Sequence, residues 1–185
     1  MQRDTLLDFF RDLVTIRGEF LVFDDGYRRR SHTYEEVGRA ARGFAARLAS
    51  LGFRKGDKVV FWGENRPEWI ACYWGCLLLG VIVVPIDYRS TPEFLARVRR
   101  LVEAPLILLG DDVAPIPPDA DLEGAERWLF ADLDWRSDGP MPDVAVTRDD
   151  ITQIIFTSGA TADPKGVVIR HRNVLANIIP VEREV

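Results

Sequence analysis

The stretch that decides the fold runs from residue 57 to residue 110: DKVVFWGENRPEWIACYWGCLLLGVIVVPIDYRSTPEFLARVRRLVEAPLILLG. Its three short apolar runs, KVVFW, VIVVP and PLILLG, are rich in branched and aromatic residues and bounded by Gly or Pro, so each predicts a buried strand. Between the first two, residues 66–79 are apolar on nearly every side, which predicts a buried helix capped by Asn65 and stopped by Gly80. Between the second and third, Thr91 caps a helix and Pro92 occupies its first turn. Phe94, Leu95, Val98, Leu101 and Val102 then form its inward face. This alternation is the order of a parallel sheet covered by helices, so the expected fold class is α/β.

Upstream, Leu6, Leu7, Phe10 and Leu13 follow a helical period and predict a short amphipathic helix. EFLVFDDGYRRRSH reads as an early β-hairpin turning at Asp25–Gly26, with Arg28–Arg30 on a solvated face. Thr33 and Glu36 have capping-box spacing. Tyr34, Val37, Ala41, Phe44, Leu48 and Leu51 then make one apolar stripe that Gly52 ends. Downstream, residues 110–148 are rich in Pro and Asp around one apolar piece, RWLFADL, and predict surface connections without a catalytic group. The organisation expected is an α/β core over about 33–109, a connecting segment over 110–148 and a loop-bearing segment over 151–183.

With 185 residues the chain can bury one sizeable core. No apolar run approaches the ~20 residues that span a bilayer, and MQRDTLLDFF lacks the pattern of a secretory leader. A net charge of -5 argues against a nucleic-acid partner. Cys72 and Cys76 have no neighbouring histidine, so they read as small buried hydrophobes of a reduced, intracellular protein rather than metal ligands. His32 reads as structural. Only Lys55, Lys58 and Lys165 are lysines, against a background of arginine. Lys55 falls in an apparent surface turn, whereas Lys165 stands inside an unusual loop.

That loop lies within FTSGATADPKGVV, residues 156–168. ITQIIF before it and GVVI after it read as strands, and the residues between are too small and polar to pack a core. Gly159 and Gly166 permit close backbone approach, Thr157, Ser158 and Thr161 offer hydroxyl donors, and Lys165 adds a cation. Pro164 stiffens the chain just before it. These are the groups that hold a phosphate. The other reading is a polar surface hairpin, since Gly-Ser-Thr loops are common. The G-x4-G-K-[ST] motif does not fit, because Pro164 and Gly166 occupy two of its fixed positions.

The residue order Thr-Ser-Gly-x-Thr-x-x-Pro-Lys-Gly-Val, followed by HRN, resembles the AMP-binding signature of the adenylate-forming superfamily. TYEEVGRAARGFAARLASLGFRKGDKV and the stretch from Gly56 to Arg100 resemble the same family, and ENRPEW is similar to long-chain fatty acyl-CoA synthetases. The resemblance implies the N-terminal part of the adenylate-forming enzyme fold. It implies ATP, Mg2+ and coenzyme A, with activation of a carboxylic acid through an acyl-adenylate. A medium- or long-chain fatty acid is the expected substrate, so the expected location is the cytoplasm, with peripheral membrane contact through a lipid substrate left open. By resemblance, Lys165 and Thr161 serve the reaction, while Thr157, Ser158, Gly159, Ala160, Thr161, Ala162, Lys165 and Gly166 line the phosphates. Thr157 would also help hold magnesium.

Ala160 replaces a usual Ser or Thr and Ala162 a usual Gly, and these two positions are the only support for one alternative, a non-catalytic family member acting as a binding or assembly module. A separate alternative is an adenylation domain that loads a carrier protein. His171, in HRN, is expected to orient the following helix. Family members run several hundred residues further, so this chain is expected to be an N-terminal portion that is inactive alone, with the adenine contacts beyond Val185.

Overall fold

A computed structural model describes residues 3–24, 26–120, 122–157 and 164–184. Helix α1 (Leu6–Leu13) leads into the antiparallel hairpin β1 (Glu19–Asp24) and β2 (Arg29–Thr33), then α2 (Tyr34–Ser50). There follow β3 (Lys58–Trp62), α3 (Pro67–Leu79), β4 (Ile82–Ile86), α4 (Pro92–Val102) and β5 (Leu106–Leu109). The chain continues through β6 (Glu126–Leu129), β7 (Ile151–Thr157), β8 (Lys165–Arg170) and α5 (His171–Glu184). Six strands make one sheet in the order β6-β5-β3-β4-β7-β8. Every neighbouring pair is parallel except β7 with β8. The α/β class, the mostly parallel sheet and the early hairpin expected from the sequence are all present.

The alternation within β3 explains the layering, because successive side chains of a strand point to opposite faces. Val59 and Phe61 join Phe44 and Leu48 of α2 and Cys72 and Cys76 of α3. Val60 and Trp62 join Leu95, Val98 and Val102 of α4 on the other face. Both cysteines are free and buried, and burial pushes both thiols well above their usual range. Among the described residues, no helix is long and apolar enough to cross a membrane.

Several local expectations are corrected. The N-cap of α3 is Arg66, not Asn65, and no side chain caps it; Pro67 at the first helical turn fixes the start instead. Leu51 and Leu101 are 51% and 58% exposed. Leu51 lies past the last turn of α2, and the inward face of α4 is completed by Ala96 instead of Leu101. Part of RWLFADL forms β6, parallel to β5 at the sheet edge, and Phe130 just beyond it packs edge-on against Phe61 at 5.2 Å between ring centroids. A four-residue edge strand exposed at three positions carries almost no alternating signal. Lys55 is not a loose surface residue: its Nζ lies 2.6 Å from Asp150 and donates to the Ala145 carbonyl at 2.7 Å, tying the turn before β3 to the entry of β7.

The α2–α3 crossing is close because Gly75 has no side chain. A Cβ there would stand 2.7 Å from the Ala41 carbonyl oxygen and 2.8 Å from Phe44 Cδ1, so one helix would have to move. Gly75→Ala is expected to cost about 1–3 kcal/mol by overpacking. Urea unfolding should show it as a lowered midpoint at an unchanged slope; an unshifted midpoint would mean the crossing is looser than this geometry requires.

Candidate active site

The parallel strands β3, β4 and β7 all end at the same edge of the sheet. From β4 the chain crosses back through α4 to β5, whereas from β7 it turns outward into β8, so adjacent strands leave in opposite directions. A crevice at the carboxyl ends of such a pair is where open α/β sheets bind ligands. A cleft of about 530 Å³ opens there. Trp69, Ile86, Ile155 and Phe156 supply apolar walls, and Glu64 and Asp87 are its acidic groups. The walls are held by backbone contacts. Gly63 and Gly110, after β3 and β5, touch closely enough that a Cβ on Gly63 would lie 2.8 Å from Gly110 Cα. The Trp62 indole N–H donates to the Asp87 carbonyl at 3.2 Å, joining the ends of β3 and β4. Two hydrogen bonds from the Arg89 guanidinium and one from its backbone N–H hold the Asp87 carboxyl well below its usual range.

The hairpin β7–β8 brings the two ends of the hydroxyl-rich loop together, with Thr157 opposite Lys165 and Phe156 opposite Gly166. Lys165 is exposed at the start of β8. Ser158, Gly159, Ala160, Thr161 and Ala162 lie outside the described residues, as does the Thr157 side chain. Gly166 has no positive φ. Its bare Cα is instead covered from the opposite strand, since a Cβ would meet Ile154 Cγ2 at 2.9 Å and Phe156 Cζ at 3.0 Å. On that side the glycine serves side-chain packing, which composition alone did not reveal. Thr152, fully buried at a register shift in β7, donates its hydroxyl to the Ile169 carbonyl at 3.0 Å and steadies the hairpin's far end.

HRN fixes the helix that follows. His171 is 1% exposed, and its Nδ1 accepts the Leu6 backbone N–H at 3.1 Å, one of the unpaired donors at the start of α1. Asn173 Oδ1 accepts the Arg170 N–H at 2.9 Å. His171 thus orients α5 against α1, and it stands apart from the residues that line the cleft. His32 likewise packs structurally, stacked on Trp135 at 3.8 Å. Among the described residues there is no cluster of three or more His, Cys, Asp or Glu able to hold a metal ion.

Burial pushes His171 down to about 4, against the opposing pull of Asp150 and Asp8 and with a smaller push from Lys55. A base with a depressed folded pKa contributes its full stability above the unfolded value of 6.5 and loses it as the pH falls toward 4. Burial raises the Asp150 carboxyl, but hydrogen bonds from Lys55 and Thr147 outweigh that and leave it lowered, so its own loss comes at more acid pH. Stability should therefore fall by on the order of 2 kcal/mol between pH 6.5 and 4 on account of His171. His171→Asn, whose side-chain oxygen can still accept a hydrogen bond, should flatten that part of the denaturation-against-pH curve. An unchanged slope in the variant would mean that groups other than this histidine carry the effect.

Known proteins share both the sequence and this fold. The family model for the AMP-binding enzyme matches residues 15–184. A crotonobetaine/carnitine–CoA ligase from Escherichia fergusonii is 30% identical over 160 residues, covering 77% of this chain and 31% of that protein. An L-proline–[L-prolyl-carrier protein] ligase from Pseudomonas fluorescens is 29% identical over 153 residues, with 78% and 30% covered. The chain thus spans about a third of the length of these relatives. A fatty acyl-adenylate ligase from L. pneumophila, solved with acyl adenylate and pyrophosphate, superposes with a TM-score of 0.80 at 24% identity over 97% of this chain and 32% of its own. The N-terminal domain of FACL13 from Mycobacterium tuberculosis, solved with an inhibitor, gives 0.77 at 26% identity over 91% of this chain and 45% of its own. With the signature order, the α/β sheet and the loop at its carboxyl edge already in place, the match over residues 15–184 settles the family: the chain belongs to the AMP-binding family of adenylate-forming enzymes.

Proposed function

We propose that the complete protein activates a carboxylic acid with ATP and transfers it, through an acyl-adenylate, to the thiol of coenzyme A, and that the acid is a medium- or long-chain fatty acid. One observation carries the reading: the Thr157–Lys165 pair closes a hydroxyl- and glycine-rich loop at the carboxyl edge of the sheet, next to the switch-point cleft. In the first step the acid's carboxylate oxygen forms a bond to the α-phosphorus while the bond from that phosphorus to pyrophosphate breaks. In the second the thiol sulfur attacks the acyl carbon and AMP departs.

This chain's part is to hold the leaving pyrophosphate. Lys165 supplies a cation, Thr157, Ser158 and Thr161 supply hydroxyl donors, and Gly159 permits close backbone approach. Ala160 and Ala162 bring no side-chain donor. Thr157 would help hold a magnesium ion, whose chemistry when bound is to neutralise phosphate charge. Preorganised donors and a cation stabilise charge as it develops without having to reorganise. The apolar walls beside the loop support a substrate with an apolar body, and ENRPEW supports a fatty acid.

Transfer to a carrier protein is the second reading, supported by similarity to a prolyl-carrier protein ligase. Supplying the complete protein with coenzyme A or with a phosphopantetheinylated carrier, and identifying the thioester formed, separates the two. A non-catalytic module rests only on Ala160 and Ala162 and would give neither product.

Lys165→Ala in the complete protein is expected to lower acid-dependent pyrophosphate exchange by about a hundredfold, corresponding to roughly 3 kcal/mol of lost transition-state stabilisation. Its thermal midpoint should barely move, because Lys165 is exposed. Arg54→Ala, from the exposed turn before β3, is the control and should keep full exchange; Lys55 is unsuitable because it anchors Asp150. Full exchange activity in the Lys165 variant at low ATP would end the phosphate-cradle assignment.

A further inference from the structure

The face of β7 that bears Ile154 and Phe156 packs onto the same cluster as Val60, Trp62 and the inner face of α4. From that anchored position both side chains reach across to β8 and occupy the space over Gly166, Phe156 from the directly opposite position and Ile154 from one pair further along the same face. A Cβ on Gly166 would stand 2.9 Å from Ile154 Cγ2 and 3.0 and 3.1 Å from Phe156 Cζ and Cε1. The ring packs against the α4-side core cluster on one side and lines the cleft on another, so it can yield only toward the cleft. A glycine with ordinary φ, placed opposite an aromatic ring that covers it, fixes the register of a strand pair. The pair it fixes here adjoins Thr157–Lys165, the last pair before the loop.

We infer that Phe156 and Gly166 form a cross-strand clasp, and that both are positioning residues: Phe156 seated on Gly166 sets the register that places Lys165 opposite Thr157 at the base of the phosphate loop. Gly166 is needed because the ring occupies the place of its side chain, not because a phosphate approaches its backbone. The assignment of a reaction to this clasp rests on the adenylate-forming reading, whereas the clasp itself is a property of the hairpin.

The two interpretations of Gly166 respond differently to a second substitution. Under the clasp, Gly166→Ala pushes the ring away from the hairpin. Phe156→Leu in the same chain removes the ring's share of the collision, leaving only the Ile154 Cγ2 methyl at 2.9 Å to shift, and restores the pairing. If the glycine serves ligand approach, the smaller side chain at 156 gives no relief.

The first measurement uses the 185-residue chain and follows cross-strand proton contacts and amide exchange at residues 154–157 and 165–168 by NMR. Gly166→Ala should lose the 157–165 contact and speed exchange, and Gly166→Ala with Phe156→Leu should recover both. Should the single variant fail to fold, the double variant must still fold with the wild-type register. Retention of the contact in Gly166→Ala, or failure of Phe156→Leu to restore it, overturns the clasp. The second measurement is pyrophosphate exchange in the complete protein. There Gly166→Ala should lower kcat by about tenfold or more, with a smaller change in KM for ATP, and Phe156→Leu should recover most of the loss. Effects that simply multiply overturn the positioning role. Absence of exchange in the wild-type protein counts against the adenylate-forming reading, and the NMR contacts then decide the clasp by themselves.

Discussion

Val59 and Phe61 of β3 are sealed by α2 and α3, while Val60 and Trp62 of the same strand are sealed by α4, and all four side chains are fully buried. A strand buried on both faces needs a helical layer on each side, and the chain supplies them in succession, α3 before β4 and α4 before β5. Having used α3 to reach β4 on one side of β3, it must use α4 to return across the opposite face to β5. That return leaves the far side of β4 free for a strand arriving from elsewhere, and β7 takes it. The switch between β4 and β7, and the cleft at their carboxyl ends, follow from the double burial of β3.

The strand that completes the switch is delivered by a long, sparsely structured connection, so its entry has to be tied down. Lys55 and Asp150 do this from the turn before β3, and Thr147 adds its backbone N–H and hydroxyl to the Asp150 carboxylate at 2.6 and 3.1 Å. Further back, Arg42 pairs with Asp138 and Arg39 donates to the Trp135 carbonyl, holding the connection along α2. Beyond the hairpin, His171 receives the start of α1. The loop-bearing hairpin is therefore seated at its entry by a charge pair, along its face by the α4-side core, and at its exit by a buried imidazole. A loop whose residues are too small and polar to pack a core has to be supported in this way.

The cleft and the loop differ in character. The cleft has Trp69, Ile86, Ile155 and Phe156 beside the acidic Glu64 and Asp87, whereas the loop carries a cation and hydroxyls.

The sequence by itself determined the α/β class, the early hairpin, the helix caps at Thr33 and Thr91, the stop at Gly80 and the family, because each depends on local periodicity, on a residue with special backbone freedom or on a fixed residue order. Lys165 and its neighbours stood out for the same reason, as chemistry that no core would use. Tertiary structure alone decided that RWLFADL supplies a sheet strand, since four mostly exposed residues gain their order from pairing with β5 rather than from their own pattern. It decided that Lys55 is an anchor, because Asp150 is distant in sequence and only the fold brings the two together. It moved the start of α3 from Asn65 to Arg66–Pro67, where a rigid ring outweighs a capping side chain. It gave Gly166 a cross-strand ring for a neighbour as well, since residues that face each other across two strands share no local signal in the chain.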